Sequence, residues 1–408
     1  MRRDKQSSIS IAEYLARVTK LGSVHRIRDV QTRPLEECLG AVLARDLTAQ
    51  ADVPRFPNSA MDGYAVQHGD LVNGPTELRI VGDQPAGLKR DLTVSAGEAV
   101  RIMTGAPLPF GADTVVQSEL TEERGTTVRI LERVRAGANV RQPGEDVSAG
   151  MEVLSKGTRL GARQLSAAAA AGFAELEVYR RLRVGVIATG DEIVPPGGAL
   201  EAGEIYESNT YLLAGLAQES GALVTQRNVV GDAPEALAEV LSATAASSDA
   251  VLLSGGVSVG HYDVVRNLLE GAEGAFFQRV ALQPGKPQGQ AIWSGKPLLA
   301  FPGNPVGAFV SFHVFGRAFL EAVASGVAAD RPRRKARAAT GWKTPTGRTQ
   351  YVPGYLRTEG GQVFHPVSEY GSGSHLVTTL GRATCLAIIP ADVDYVEPGD
   401  TVQVEEIC

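Results

Sequence analysis

Between about residues 178 and 325 short apolar runs alternate with stretches whose apolar positions recur every three or four residues. RLRVGVIAT is followed by SNTYLLAGLAQESGA, LVTQRNVV by PEALAEVLSATAAS, DAVLLSGG by DVVRNLLEG, and PLLAF by PGNPVGAFVSF. Runs that are apolar on both faces, separated by amphipathic helices, predict a parallel sheet covered on each side. Outside this region the pattern changes. Ser10 and Glu13 read as a capping box, and Ile11, Tyr14, Leu15, Val18 and Leu21 continue at helical spacing, so the chain is expected to open with a helix. From about 45 to 155 the runs become short and β-prone (TELRIVG, AVRIMTG, ADTVVQSE, TTVRILERV) and are cut by Gly and Pro, which predicts a β-rich domain. Residues 338 to 408 return to strands and turns and read as a small barrel or sandwich.

In a parallel α/β sheet ligands sit beyond the carboxyl ends of the strands. The loops at 188 to 192, 254 to 263 and 301 to 305 therefore border one crevice. The stretch SGGVSVGHYD, Ser254 to Asp263, joins a buried strand to a helix through three glycines, which open the backbone N–H groups to a ligand. Asp263 falls at or just before the first helical position. Asp191, Glu192, Asp232 and Asp263 all lie near strand ends, and acids beside glycine turns suit Mg²⁺ with a phosphate. Each acid equally fits a helix cap or a turn, and for Asp232 in VVGDAP taken alone the cap is the better reading. GlyLys at 285 and 286 is followed by Pro287, so it is no Walker motif, and no GxGxxG with a ribose-binding acid is present. The PGKP turn holds Lys286 either toward an anion or simply in solvent. Pro302 and Pro305 stiffen their loop. In the β-rich region Asp62, Thr104 and Arg141 stand in PNSAMDGYAV, IMTGAPLP and NVRQPGEDV, where ordinary turn and surface roles fit as well. Pattern alone stops at a Mg²⁺-dependent enzyme acting on a phosphorylated ligand.

Composition narrows the class. With 408 residues and 43% hydrophobic content, two to four domains with substantial cores are expected. MRRDKQSS lacks the apolar core of a signal peptide, and no apolar run approaches the roughly 18 residues of a membrane span, so a cytoplasmic location without membrane contact is expected. Cys38, Cys385 and Cys408 are too dispersed for a disulfide framework or a thiolate zinc site, which leaves oxygen ligands and a hard cation. The formal net charge of −6 carries no footprint for nucleic acid. RPRRKAR, Arg331 to Arg337, sits at a composition break with Pro332 and reads first as a solvated linker between domains, and second as a contact for an anionic partner.

SAMDGYAV, MTGAPLP, RQPGEDV, ATGDEIV, SGGVSVGHYD, QPGKP and FPGNPVGAF, taken in this order along the chain, resemble the MoeA family, the molybdopterin molybdenumtransferases related to the gephyrin E domain. The resemblance implies an α/β multidomain protein whose central three-layer, MogA-like domain has a mostly parallel sheet. It places a discontinuous α+β linking and dimerisation domain at 1–45 and 146–177, a β-rich domain at 46–145, the α/β molybdopterin-binding domain at 178–326 and a β-barrel-like domain at 338–408. It also implies a homodimer with shared active sites, and a reaction in which adenylyl-molybdopterin and molybdate give molybdenum cofactor and AMP with Mg²⁺. Other proteins of the cofactor pathway are implied as further partners.

Carried over motif by motif, Glu192, Asp232 and Asp263 would hold the metal, while Asp62, Thr104, Asp232 and Lys286 would be catalytic. Arg141, Asp146, Gly190, Asp191, Ser208, Asn209, Ser254, Gly255, Gly256, Arg279, Pro302, Asn304 and Pro305 would bind substrate. The chain departs from the family pattern at Gln283 and Arg279, where lysines are common, and in QGQA after PGKP. A tungstate-inserting paralogue, a gephyrin-like scaffold without catalysis and an unrelated metal-dependent phosphohydrolase are the competing readings.

Overall fold

A computed structural model describes residues 8–87, 90–257, 263–326, 328, 331–358, 360–368, 373 and 376–407. The initial MRRDKQS, residues 258–262 of the SGGVSVGHYD loop with Gly260 among them, and Cys408 lie outside the described residues. The chain divides into two compact units, residues 1–31 with 179–408 and residues 32–178.

The first unit opens with helix α1 (Ile11–Val24), capped by the Ser10 hydroxyl, which accepts from the Glu13 N–H at 3.1 Å. Only half of the expected capping box forms, because the Glu13 carboxylate is drawn instead to Arg17, one turn on, at 3.4 Å. The α/β layer follows as β1 (Arg183–Thr189), α2 (Asn209–Glu219), β2 (Leu223–Val230), α3 (Pro234–Ser247), β3 (Ala250–Ser254), α4 (Val264–Leu269), β4 (Phe276–Arg279), β5 (Pro287–Trp293) and β6 (Lys296–Phe301). The sheet order is β2-β1-β3-β6-β5-β4; the first four strands are parallel, and β5 and β4 add an antiparallel edge. LVTQRNVV differs from the expected apolar strand: as the sheet's edge it is half-exposed along most of its length.

Helix α5, Pro305–Ser325, is continuous through a π-helical stretch at Phe312–Gly316. It corrects one expectation, since by length and composition it could cross a membrane, with a mean hydropathy of 1.4. Its best window is 83% buried inside the protein, as befits a core helix. One face of the sheet packs Leu213, Phe312, Phe315 and Phe319 with Tyr14 and Val18 of α1, and the other packs Leu237, Leu241, Val265 and Leu269. Apolar side chains on both faces give the three layers their two cores. At Gly22 a side chain would meet the Phe319 carbonyl at 2.7 Å, so glycine is what lets α1 and α5 approach closely.

The C-terminal strands β7 (Arg333–Ala338), β8 (Thr349–Thr358), β9 (Gln362–Pro366), β10 (Cys385–Ile389) and β11 (Thr401–Glu406) close on themselves in the order β8-β9-β7-β11-β10 and back to β8. The RPRRKAR run is therefore no linker. Most of it is a barrel strand with Ala336 and Ala338 buried, and its cations meet acids of the antiparallel partner: Arg333 with Glu405 at 3.6 Å and Arg334 with Glu406 at 3.0 Å.

The second unit holds a six-stranded sheet in the order Thr114–Gln117, Gly63–Val66, Glu98–Ile102, Thr76–Gln84, Thr127–Ile130, Thr121–Arg124, together with a short helix at Ala162–Ala170. Its apolar positions fill separate cores around Tyr64, Val66 and Val128 and around Leu43, Leu160 and Val178.

Candidate functional site

Ala188 of β1 is paired with Ser254 of β3, and Ser254 with Phe301 of β6. Register alone thus brings the loops after these strands to one edge of the sheet, where they surround a cavity of about 350 Å³. Glycine keeps it open. Gly190 has φ +153°, and a side chain there would sit 2.5 Å from the Glu192 carboxylate. Gly255 has φ +102°, and its Cβ would lie 2.6 Å from the Thr189 carbonyl. Both positions have a backbone suited to glycine, and at Gly255 the Thr189 backbone also leaves no room for a side chain.

Asn209, in the first turn of α2, ties the loops together. Its Nδ2 donates to Ser254 Oγ at 2.8 Å and to the Gly303 carbonyl at 2.6 Å, and Ser254 Oγ donates to the Pro302 carbonyl at 3.2 Å. Because Gly303 O can only accept, the amide orientation is settled and Asn209 Oδ1 faces away from these partners. Among the described residues Asn209 Oδ1 and Thr189 Oγ1 are buried without a hydrogen-bond partner, although both residues line the cavity. Buried polar atoms normally find partners, so two orphans in one crevice mark a place where a polar ligand completes the bonding.

Three acids share this cavity. Glu192, Asp232 and Asp263 all line the cavity. Burial raises the Asp232 carboxyl above its usual range, and the negative charges of Asp191, Glu192 and Asp263 raise it further. Asp191 itself lies outside the lining; its Oδ1 accepts from the Asp232 N–H at 2.9 Å, so it sets the backbone of the Asp232 turn. Asp263 precedes α4 at the N-cap position without a side-chain bond to the first turn. Among the described residues no three His, Cys, Asp or Glu side chains stand together as a ready-made metal cage. Mg²⁺ does not demand one, since it keeps several waters and takes one or two carboxylates beside phosphate oxygens. The donor chemistry therefore fits: hard oxygen ligands whose mutual repulsion a divalent cation would relieve.

Of the other residues singled out from the sequence, Gly190, Ser208, Asn209, Ser254, Gly255, Gly256, Asn304 and Pro305 line the same cavity. Lys286, Arg279 and Pro302 do not. The Gly285–Lys286 turn packs on the start of α5, where a Cβ at Gly285 would meet Ser311 Oγ at 2.5 Å and the Gly307 carbonyl at 3.0 Å. Burial lowers the Lys286 ammonium pKa, and the charges of Arg348 and Arg279 lower it further, so three cations share this patch. In the second unit Asp62 Oδ1 accepts from both the N–H of Thr104 at 2.6 Å and its hydroxyl at 2.8 Å, and these bonds hold the Asp62 carboxyl below its usual range. Arg141 is exposed on a two-residue strand paired with Asn58–Ser59, and Asp146 is exposed beyond it.

Three family models match in succession: the MoeA N-terminal region (domain I and II) over residues 9–172, the probable molybdopterin binding domain over 185–322, and the MoeA C-terminal region (domain IV) over 335–407. A molybdopterin molybdenumtransferase 2 of Mycobacterium tuberculosis is 39% identical over 387 residues, covering 92% of this chain and 95% of the relative. The chain belongs to the MoeA family. A molybdopterin molybdenumtransferase of Nostoc sp. is 34% identical over 390 residues, covering 93% of this chain and 89% of the relative. Among solved structures, the molybdopterin biosynthesis moeA protein of Pyrococcus horikoshii OT3 is similar with a TM-score of 0.81 at 26% identity, covering 98% of this chain and 100% of that one. The α/β multidomain fold with a closed C-terminal barrel is thus that of the MoeA family.

Two residues of this MoeA-family chain escaped the sequence reading. Arg348 donates to Gln283 Oε1 at 2.8 Å, so a cation just before β8 meets the position where the resemblance led to the expectation of a lysine. Glu207 is 4% exposed, and its two carboxylate oxygens accept from the N–H of Thr210 at 2.6 Å and from its hydroxyl at 2.7 Å, which caps α2 and so seats Asn209. The Glu-x-x-Thr spacing was the available signal for Glu207. Arg348, 65 residues beyond its partner, left none.

Proposed function

We propose that this MoeA-family protein is a molybdopterin molybdenumtransferase that inserts molybdate into adenylyl-molybdopterin, releasing molybdenum cofactor and AMP with the help of Mg²⁺. The observation that carries the reading is the crevice itself, which brings the orphaned Thr189 and Asn209 oxygens and the crowded Asp232 carboxylate into one lining. It lies within the segment matched by the molybdopterin binding model. Glu192, Asp232 and Asp263 would hold Mg²⁺, which when bound neutralises charge on the phosphates and their leaving oxygen.

The chain's own groups do the rest. Gly255 and Gly256 leave the phosphates room, and Thr189 Oγ1 can donate to an oxygen. Asn209 Oδ1 accepts an N–H from the ligand, held in place by the bonds of Nδ2. Lys286, Arg279 and Arg348 form the cationic patch suited to the tetrahedral molybdate dianion, with Gln283 orienting Arg348. Asp62 with Thr104, and Arg141 with Asp146, would complete the site from the β-rich domain of a second subunit in a homodimer. Cleavage then depends mainly on positioning the reacting groups in a site of fixed dipoles.

The test uses purified protein with adenylyl-molybdopterin, molybdate and Mg²⁺, measuring AMP release. Asp263→Ala and Glu192→Ala are each expected to abolish turnover while the protein stays folded by circular dichroism. Full turnover by both variants would sink the metal assignment, and sedimentation showing an active monomer would sink the shared site.

A further inference from the structure

A second cavity, of about 530 Å³, lies within the first compact unit and shares no lining residue with the crevice. Ile11 and Leu15 of α1 and Val314 and Ala318 of α5 give it a hydrocarbon wall. Facing them are Arg331 and the barrel side chains Arg333, Tyr351 and Glu405, with His313 at the π-helical stretch of α5. π-Helical turns are rare and recur at binding sites.

The polar wall is incompletely paired. Arg331 reaches Glu321 through Nη2 at 3.3 Å and Glu405 through Nε at 3.9 Å, while its Nη1 is buried without a partner among the described residues. His313 is 4% exposed, and among the described residues its Nε2 likewise is buried without a partner. Glu405 also serves Arg333 at 3.6 Å, and Glu321 also serves Arg317 at 3.6 Å. Among these described residues three arginines share two glutamates. Burial, with Arg317 and Arg331 beside it, lowers the His313 pKa to about 3, so its imidazole is neutral at physiological pH and adds no charge to the count.

A half-buried guanidinium with a buried, unmet donor, among described side chains that carry three positive and two negative charges, is completed by a monoanion. An inorganic oxyanion would leave most of the volume and all of the hydrocarbon wall unused, whereas ligand cavities of about 300 to 1,000 Å³ hold organic molecules with a few fixed polar groups. We propose that this cavity binds a monoanionic organic acid, with its carboxylate on Arg331 and its hydrocarbon body against Leu15 and Val314.

Octanoate is the probe, titrated calorimetrically into the full-length protein at pH 7, with 1-octanol and inorganic sulfate as controls. Octanoate is expected to bind saturably at one site per chain, and neither control to do so. Leu15→Trp, which fills the apolar side from the surface of α1, is expected to weaken octanoate at least tenfold while leaving circular dichroism unchanged. Arg331→Met is expected to do the same, and if that variant does not fold, Leu15→Trp carries the test alone. The proposal is overturned if octanoate gives no saturable heat, if octanol or sulfate binds as well as octanoate, or if folded Leu15→Trp keeps the wild-type affinity.

Discussion

Replacing Asn209 by alanine removes a side chain that bridges the loops after β3 and β6. Two hydrogen bonds go with it, to Ser254 Oγ at 2.8 Å and to Gly303 O at 2.6 Å. A hydrogen bond of this kind contributes about 1 kcal/mol net, so the loss is about 2 kcal/mol. If the bonds hold the crevice in the geometry of the reacting complex, kcat/KM falls by about 30-fold, since 1.4 kcal/mol corresponds to a factor of ten. The fold loses little, because the bonds join loops at the edge of the sheet and do not lie in its core; a drop in melting temperature of no more than about 3 °C is expected. Asn209→Asp should be worse than alanine, as it sets a carboxylate against the Gly303 carbonyl where a donor is needed. The assay is AMP release under saturating Mg²⁺ and molybdate, with thermal melting of the same preparations alongside. A folded Asn209→Ala variant with kcat/KM within twofold of the parent would refute the idea that this amide organises the site.

Asp232→Asn is expected to raise the melting temperature in the absence of Mg²⁺ while lowering Mg²⁺-dependent turnover at least tenfold. The sign follows from the raised native pKa: between the ordinary and the raised value the folded state binds more protons than the unfolded one, so the ionised carboxylate costs stability at neutral pH. A lower melting temperature by scanning calorimetry would contradict it. Gly255→Ala, at φ +102° and with no room beside Thr189, is expected to cost about 2 kcal/mol or more in denaturant unfolding and to lower turnover as well. Asp249 is 11% exposed and accepts from Arg180 at 2.9 and 3.1 Å and from the Arg183 N–H at 2.8 Å, so Asp249→Ala should cost about 3–5 kcal/mol at pH 7. Burial pushes the Asp249 pKa up, but the bonds from Arg180 and Arg183 outweigh it and hold the pKa below the ordinary value. Its contribution is therefore complete above about pH 4 and fades as the pH falls through the lowered native value, so the gap between wild type and variant should close in acid urea titrations.

Much of this site could be read from the chain because it is local. ATGDEIV, the SGG of SGGVSVGHYD and FPGNP each pack strand end, glycine and polar residue into a few positions, and parallel register brings them to one edge without further information. What the chain hid is what tertiary contact decides. RPRRKAR looked like a solvated linker because its charges carry no sign of their partners; Glu405 and Glu406 come some seventy residues later, on the strand that turns it into part of a barrel. Arg348 was missed for the same reason, since only folding sets it on Gln283. Residue type alone also does not show that the Asp191 carboxylate packs close on Gly231, where a side chain would meet its Oδ1 at 2.5 Å, and accepts from the Asp232 N–H.

The most direct test is the dependence of AMP release on the oxyanion. Purified protein is mixed with adenylyl-molybdopterin and Mg²⁺, with and without molybdate, and both AMP and pterin-bound molybdenum are quantified. Transferase chemistry requires AMP to form only when molybdate is present, one AMP for each molybdenum inserted. AMP released at the same rate without molybdate would instead make this crevice the site of a phosphohydrolase.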